Sequence, residues 1–323
     1  MQQQRKKKIY NKGKWSGKPY NFFGDYLSAK YNCRVLKLPI DAGLSCPNRD
    51  GTIGTGGCIF CGEDGSASPT ARLSYTITDQ MTDARNTFKR GNIPTKYIAY
   101  FQAWTNTYGD IQQLKKLYDE AVSFPDVIGL MIGTRPDCIN KDVVELISSY
   151  KKENFELWIE LGMQSIHDKS LRFLRRGHSH AQTLEAINII NQYSIPQCLH
   201  LIIGIPGETW EDMMETALSI SRLPVQGVKI HHLHIIKNTA LEVIDKKEPL
   251  QLMTLKEYVS VVCDFIERLR PDILIHRLMG DRPADSLIKP KWGLHKGTVI
   301  KAIEDEFEKR VTCQGFFYNS EEF

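Results

Sequence analysis

Cys46, Cys58 and Cys61 fall in one glycine-rich stretch with the spacing C-x(11)-C-x(2)-C. Thiolates are soft ligands for zinc and for iron–sulfur clusters, and four of them close either kind of site. Three, with no fourth cysteine nearby, leave one coordination position open. On a cluster that open iron takes up a substrate or cofactor. Glycines 51, 54, 56, 57, 62 and 65 let the backbone turn tightly and direct amides toward sulfur. A zinc knuckle completed by a distant ligand, and three unrelated buried thiols, are competing readings that the trio alone leaves open.

The elements that must position these sulfurs come from an ordinary globular chain. It has 323 residues, 41% hydrophobic and 25% charged, enough for one large core. A net charge of +4 permits a polyanionic partner without demanding one. The eight cysteines come with no apolar N-terminal segment. Reduced thiols in the cytoplasm, and metal binding ahead of disulfides, are the expectation. No apolar run approaches the roughly 18 residues that a membrane span needs, so no membrane association is expected.

Residues 1–24 read as a basic tail, carrying Arg5, Lys6, Lys7, Lys8, Lys12, Lys14 and Lys18. Such a tail is either a solvated end or an arm for nucleic-acid phosphates. From Arg34 a strand–helix rhythm begins. Strands are expected at Arg34–Ile40, Lys96–Phe101, Val127–Gly133, Leu157–Gly162, Gln197–Gly204 and Gly227–Ile236. Helices are expected near Thr78–Arg90, Ile111–Ser123, Lys141–Lys152, His167–Arg175 and Ala181–Tyr193, and after Thr209, which caps with Asp212 three residues on. Short apolar strands alternating with amphipathic helices imply parallel strands and right-handed crossovers. Six such units are too few for a closed eight-unit barrel. An open barrel or a doubly wound sheet fits, and in both the strand C-terminal ends form the reactive face. The cysteine loop follows the first strand and sits on that face.

After about residue 250 the rhythm changes. A helix at Leu255–Leu269, a short strand at Ile273–Arg277, a polar cluster (His276, Arg277, Asp281, Arg282) and a helix near Lys296–Lys309 read as a C-terminal extension. The organisation expected is therefore a tail (1–24), a barrel (25–250, with the cysteine loop at 41–65) and an extension (251–323). His232 and His234 share one face of the sixth strand, with His231 on the other. They are either substrate contacts or satisfied core histidines.

Several motifs taken together resemble the radical S-adenosylmethionine (SAM) superfamily. They are Gly57-Cys58-Ile59-Phe60-Cys61, Gly133-Thr134-Arg135-Pro136-Asp137, Glu160-Leu161-Gly162-Met163-Gln164-Ser165, Arg176-Gly177-His178 and Gly204-Ile205-Pro206-Gly207-Glu208. The long first cysteine gap is a feature of the branch containing the Elongator catalytic subunit. Cys46-Pro47-Asn48-Arg49-Asp50-Gly51, Tyr100-Phe101-Gln102-Ala103, Cys138 and His276-Arg277 resemble the YtqA/YhcC group of that superfamily. The resemblance covers about residues 25–290.

The resemblance implies an α/β fold, a partial (β/α)6 TIM-type barrel. It implies a [4Fe-4S] cluster on Cys46, Cys58 and Cys61, whose fourth iron chelates SAM. Reductive cleavage of SAM then yields a 5′-deoxyadenosyl radical that abstracts hydrogen from substrate. A flavodoxin- or ferredoxin-type electron donor is implied with it. Gln164 and Arg176 stand where relatives contact SAM, and Gly204, Ile205 and Pro206 stand where they meet its adenine. Relatives often carry acids where this chain has Gly133 and His200. Glu160 and Gln102 are the candidates to replace them, and Asn106, Thr107 and Arg135 are further pocket candidates. Cys138, at a strand end, is the candidate for a radical-handling thiol. The branch also includes enzymes of wobble-uridine modification, which makes tRNA the expected substrate and the carboxymethylaminomethyl-to-aminomethyl conversion the expected step. A small metabolite or protein substrate, and a non-catalytic zinc-containing RNA-binding protein, are the alternatives.

Overall fold

The computed structural model describes residues 14–65, 67–68, 71, 75–88, 91, 93–280 and 282–319. Arg5, Lys6, Lys7, Lys8, Lys12 and Asp281 lie outside the described residues. The chain divides into two units. One comprises Leu27–Met163 and Leu171–Leu199; the other comprises Gln164–Ser170 and His200 onward, with the stretch up to Tyr26.

In the first unit, strand β1 (Arg34–Ile40) pairs with β2 (Thr95–Phe101), β2 with β3 (Val127–Thr134) and β3 with β4 (Glu156–Gln164). Every one of these pairings is parallel, with Ile40 opposite Phe101 and Thr134 opposite Leu161. Between the strands run α2 (Ile77–Phe88), α3 (Ile111–Ser123) and α4 (Lys141–Ser148), preceded by α1 (Phe23–Tyr31). After β4 come α5 (Asp168–Phe173) and α6 (His180–Gln192). Strands covered on both faces need continuous apolar runs. That is why Gly129–Thr134 and nearly all of β4 are buried.

Two carboxylates interrupt β4. Glu156 and Glu160 are four apart and so share a face. Glu156 accepts from Lys30 Nζ (2.6 Å), Tyr31 OH (3.1 Å) and Trp158 Nε1 (2.8 Å). Glu160 meets Lys37 Nζ at 3.5 Å. Buried charge is tolerated here because it is paired.

After β5 (Gln197–Ile203), the second unit contains α7 (Trp210–Arg222), β6 (Gly227–His232), β7 (Ile235–Ile236), α8 (Ala240–Lys247), α9 (Leu255–Ile266), β8 (Leu274–Arg277), β9 (Leu287–Lys289) and α10 (Lys296–Arg310). Thr209 and Asp212 form the expected capping box on α7. The sheet order is β1-β2-β3-β4-β5-β6-β8, and β7 pairs with β9 in a separate two-stranded sheet. This is the order of an α/β partial barrel. The six strands expected gain a seventh, because β8 of the C-terminal stretch pairs in parallel with β6, Val228 opposite Ile275. The strand expected at 227–236 stops at His232. Its last residues become β7, which pairs antiparallel with β9, Ile236 opposite Leu287.

Candidate functional site

The cysteine loop has no sheet to satisfy its backbone, so it must satisfy itself. Arg49 N and Asp50 N bond Cys46 O at 2.8 and 3.2 Å, Ile53 N bonds Pro47 O at 2.8 Å, and Gly57 N bonds Asn48 O at 2.8 Å. Cys61 N bonds Cys58 O at 3.0 Å, closing the C-x-x-C turn. One side chain clamps the far end: Arg49 Nη2 donates to Cys61 O (3.0 Å) and Gly62 O (2.7 Å). Its guanidinium lies over the Trp104 ring, 5.0 Å from the centroid. Arg49 is thus a structural strap for the loop, which its place in the motif did not disclose.

Cys58 is the buried member of the trio, while Cys46 and Cys61 are partly exposed. Its Sγ receives Arg176 Nη1 at 3.4 Å and Asn48 Nδ2 at 3.5 Å. Burial alone raises the thiol pKa. The Arg176 charge and hydrogen bond, then Arg135 and the Asn48 amide, outweigh burial, and the net pKa is lowered. An electropositive setting of this kind favours the thiolate, the form that binds metal. Ile59 N bonds Leu174 O at 3.0 Å, tying the loop to the turn after α5. The three sulfurs do not all lie within 4.8 Å of one another. A single zinc ion needs its ligands around one point, whereas on a cluster each thiolate takes a different iron.

Arg135 is almost wholly buried beside this sulfur. Its Nε and Nη2 form a fork on Asp137, both at 2.9 Å. Its charge is felt by Cys58 and Cys46. Its third nitrogen, Nη1, is buried with no hydrogen-bond partner among the described residues. His178 is buried as well, and among the described residues no side chain bonds its ring nitrogens, the backbone of Arg176 being the one group that favours its charged form. Burial first, then the Arg176 and Arg135 charges, hold the His178 pKa down at about 2, so the ring is neutral.

The expected site residues distribute as follows. Cys58, Arg135 and Arg176 come together. Arg176 Nε and Nη2 both donate to Gly162 O, at 3.2 and 3.0 Å, so with Nη1 on Cys58 Sγ each of its three nitrogens has a partner within the protein. Glu160 is engaged by Lys37. Gln102 follows β2, with its backbone N on Ile40 O at 3.2 Å. Gln164 ends β4 in the left-handed region, at φ 71°. Gly204, Ile205 and Pro206 belong to the second unit, in a turn closed by Glu208 N on Ile205 O at 3.0 Å. Gly133 is in a tight place: a Cβ would lie 3.1 Å from Phe101 O, so a side chain there requires the neighbouring backbone to give by a few tenths of an ångström. His200 stacks on His231, ring centroids 5.9 Å apart.

Asn106 Nδ2 donates to Gly133 O at 2.8 Å, and Thr107 Oγ1 bonds Thr134 Oγ1 (2.6 Å) and Cys138 O (2.7 Å). Thr107, Cys138, Asp137, Pro47, Thr52 and Tyr108 line part of a cavity of about 470 Å³ against the cysteine loop. Asn48 and Asp137 were missed as site residues. Both lie inside quoted motifs, but nothing local marks them as partners of Cys58 and Arg135.

The sequence pattern of the Radical SAM superfamily spans residues 50–220, and that of the Radical SAM C-terminal domain spans 225–309. The chain is 36% identical to YtqA of Bacillus subtilis over 301 residues, 93% of each protein. It is 36% identical to YhcC of Escherichia coli K12, over 88% of this chain and 91% of that one. A tRNA uridine(34) acetyltransferase of Methanocaldococcus infernus is 24% identical over 57% of this chain and 34% of its own length. Among solved structures, archaeal Methanocaldococcus infernus Elp3 superposes with a TM-score of 0.67 at 18% identity. That match covers 86% of this chain and 64% of Elp3, so the chain spans less than two thirds of that protein.

Proposed function

Since the chain belongs to the radical SAM superfamily, whose enzymes bind a [4Fe-4S] cluster and SAM, we propose that it modifies tRNA, with Cys46, Cys58 and Cys61 holding the cluster. The observation that carries this reading is the buried Cys58 sulfur with Arg176, Asn48 and Arg135 around it. The chemistry of the donor set fits a cluster: three cysteines supply three corners and leave the fourth for SAM. The orphaned Arg135 Nη1 fits as well. A buried donor left unmade costs about 1–3 kcal/mol, and a carboxylate is the acceptor a guanidinium prefers.

When bound, the reduced cluster and SAM supply a carbon radical that removes a hydrogen atom from substrate. The protein's own residues do the rest. Arg49 holds the loop closed behind Cys61. Arg135, held by Asp137 through Nε and Nη2, offers the N–H groups of Nη1 to the SAM carboxylate. Within the same unit, Glu160 and Gln102 are the further side chains we assign to the remaining polar groups of SAM. The burial of Cys58 keeps water from the sulfur. A flavodoxin- or ferredoxin-type protein supplies the electron.

Two observations support tRNA as substrate. A relative at 24% identity is named as a tRNA uridine(34) acetyltransferase. The chain also carries a net charge of +4, and seven of its 42 Lys and Arg residues fall within residues 1–18. The step we assign is carboxymethylaminomethyl- to aminomethyl-uridine at the wobble position. The C–H bond flanked by nitrogen and carboxylate is weak and suits abstraction. Loss of that hydrogen atom and then of one electron gives an imine, whose hydrolysis by water breaks the C–N bond and releases glyoxylate and the aminomethyl group. SAM, cleaved to methionine and 5′-deoxyadenosine, is the two-electron oxidant. The test is anaerobic incubation of the reconstituted protein with SAM, reductant and bulk tRNA, followed by nucleoside analysis and 5′-deoxyadenosine detection. Conversion of the carboxymethylaminomethyl nucleoside together with 5′-deoxyadenosine is expected. 5′-Deoxyadenosine with unchanged tRNA moves the substrate to a small metabolite or protein. A colourless protein with stoichiometric zinc overturns the enzyme reading.

A further inference from the structure

Two donors converge on one sulfur. Arg176 Nη1 lies 3.4 Å and Asn48 Nδ2 3.5 Å from Cys58 Sγ. All three residues are less than a tenth exposed. Neither donor is free to swing away. Asn48 Nδ2 is also tied to Arg175 O at 2.7 Å, and Arg176 Nε and Nη2 are tied to Gly162 O of β4. The backbone holds the pair from behind as well, with Arg176 N on Leu171 O at 2.9 Å. Arg135 differs: Nε and Nη2 are held by Asp137, and Nη1 has no hydrogen-bond partner among the described residues.

The two arginines therefore have different work. We infer that Arg176 and Asn48 are positioning residues that donate to the Cys58 sulfur and set the reduction potential of the cluster it holds, while Arg176 takes no part in binding SAM. The inference rests on the reading of Cys58 as a cluster ligand. One electron entering a cluster increases its negative charge. Hydrogen bonds and a fixed cation at a ligating sulfur stabilise that reduced state and raise the potential. Removing either donor lowers it. The consequence is a cluster that a protein donor reduces more readily before SAM arrives.

The test uses the full-length protein, reconstituted anaerobically with iron and sulfide. Iron per chain is measured, and the reduction potential is read by EPR during stepwise reduction, with and without SAM. For Arg176→Gln, parental iron content and at least a tenfold loss in the reduction equilibrium constant are expected without SAM, about 59 mV for a one-electron couple. Arg176→Lys, which keeps the charge and loses the fork, recovers part of that shift. Asn48→Ala shifts the potential in the same direction by less, and carries the test if Arg176→Gln assembles no cluster. An unchanged SAM-free potential in cluster-loaded Arg176→Gln, with loss of the SAM-induced EPR change, overturns the inference and makes Arg176 a SAM ligand. Failure of the underlying reading looks different: Cys58→Ala would then assemble the parental cluster.

Discussion

The space above Gly177 is taken by Asn48: a Cβ there would lie 2.9 Å from Asn48 Oδ1, and Gly177 itself sits at φ +74°. Asn48 cannot retreat without giving up Arg175 O or the Cys58 sulfur. Gly177→Ala therefore carries two costs. The first is the left-handed backbone, about 1–2 kcal/mol for a residue with a Cβ. The second is displacement of Asn48. Gly207 isolates the first, because it has φ +88° and nothing within 4 Å of its Cβ position. Gly207→Ala and Gly177→Ala should both lower the melting temperature, but only Gly177→Ala should lower iron per chain after reconstitution. Equal iron contents would show that Asn48 does not need its place.

Arg135 poses a harder test, because removing it strands a buried acid. The side chains of Arg135 and Asp137 are 2% and 3% exposed. Breaking such a pair from one side costs about 3–5 kcal/mol. Arg135→Gln alone should therefore melt early for reasons unrelated to SAM. The double variant Arg135→Gln/Asp137→Asn removes both charges and should recover most of that stability. If Nη1 serves the SAM carboxylate, the double variant still binds SAM at least about 10-fold more weakly, the value of one charged hydrogen bond. Calorimetric binding beside thermal melts separates the two effects. Parental SAM affinity in the stable double variant would remove Arg135 from the SAM site.

The parts of this molecule visible in its sequence are those encoded locally. The C-x-x-C turn, the apolar run Val127–Thr134 and the Thr209/Asp212 cap each occupy a few consecutive residues. Helix α8 carries a signal of the same local kind, Thr239 accepting from Glu242 N at its start, although the strand–helix rhythm predicts no helix there. The sulfur's surroundings were not legible. Cys58 and Arg176 are 118 residues apart, and Asn48 and Arg175 are 127 apart. No periodicity registers such a contact. Lys37 and Glu160, on different strands, are 123 apart. The tight space at Gly133 depends on the Phe101 carbonyl of the neighbouring strand, so an absent acid could be noticed there but not explained.

Acid stability should report the histidines of the second unit. Burial first, then the charges of His232 and Arg282, push the His234 pKa down to about 3. His231 is pushed well below its ordinary value by burial, then by Arg277 and His200. In the unfolded chain both titrate near the ordinary histidine value of about 6.5. Between these limits the unfolded state binds more protons, so stability falls as pH falls. From pH 7 to pH 5 the His234 contribution is about 2 kcal/mol. Denaturant midpoints measured across that range should decline in the parent and decline less in His234→Gln. Parallel slopes would mean that His234 is solvated in the folded chain.

Cys138 and Cys58 make the sharpest contrast between neighbouring thiols. Both feel Arg135 and Arg176. At Cys58 the guanidiniums outweigh burial, because Arg176 touches the sulfur. At Cys138 burial dominates, the Asp137 carboxylate adds to it, and the thiol is pushed up to about 12. A thiol must lose its proton to ligate iron, and each pKa unit above the working pH costs about 1.4 kcal/mol. Cys138, which lines the cavity, is therefore expected to keep its proton and stay off the cluster. Cys138→Ser should leave iron per chain and the visible absorbance of the reconstituted protein unchanged, while Cys58→Ser should abolish both. A fall in iron for Cys138→Ser matching that for Cys58→Ser would make it a ligand, close the open corner and leave SAM no iron to bind.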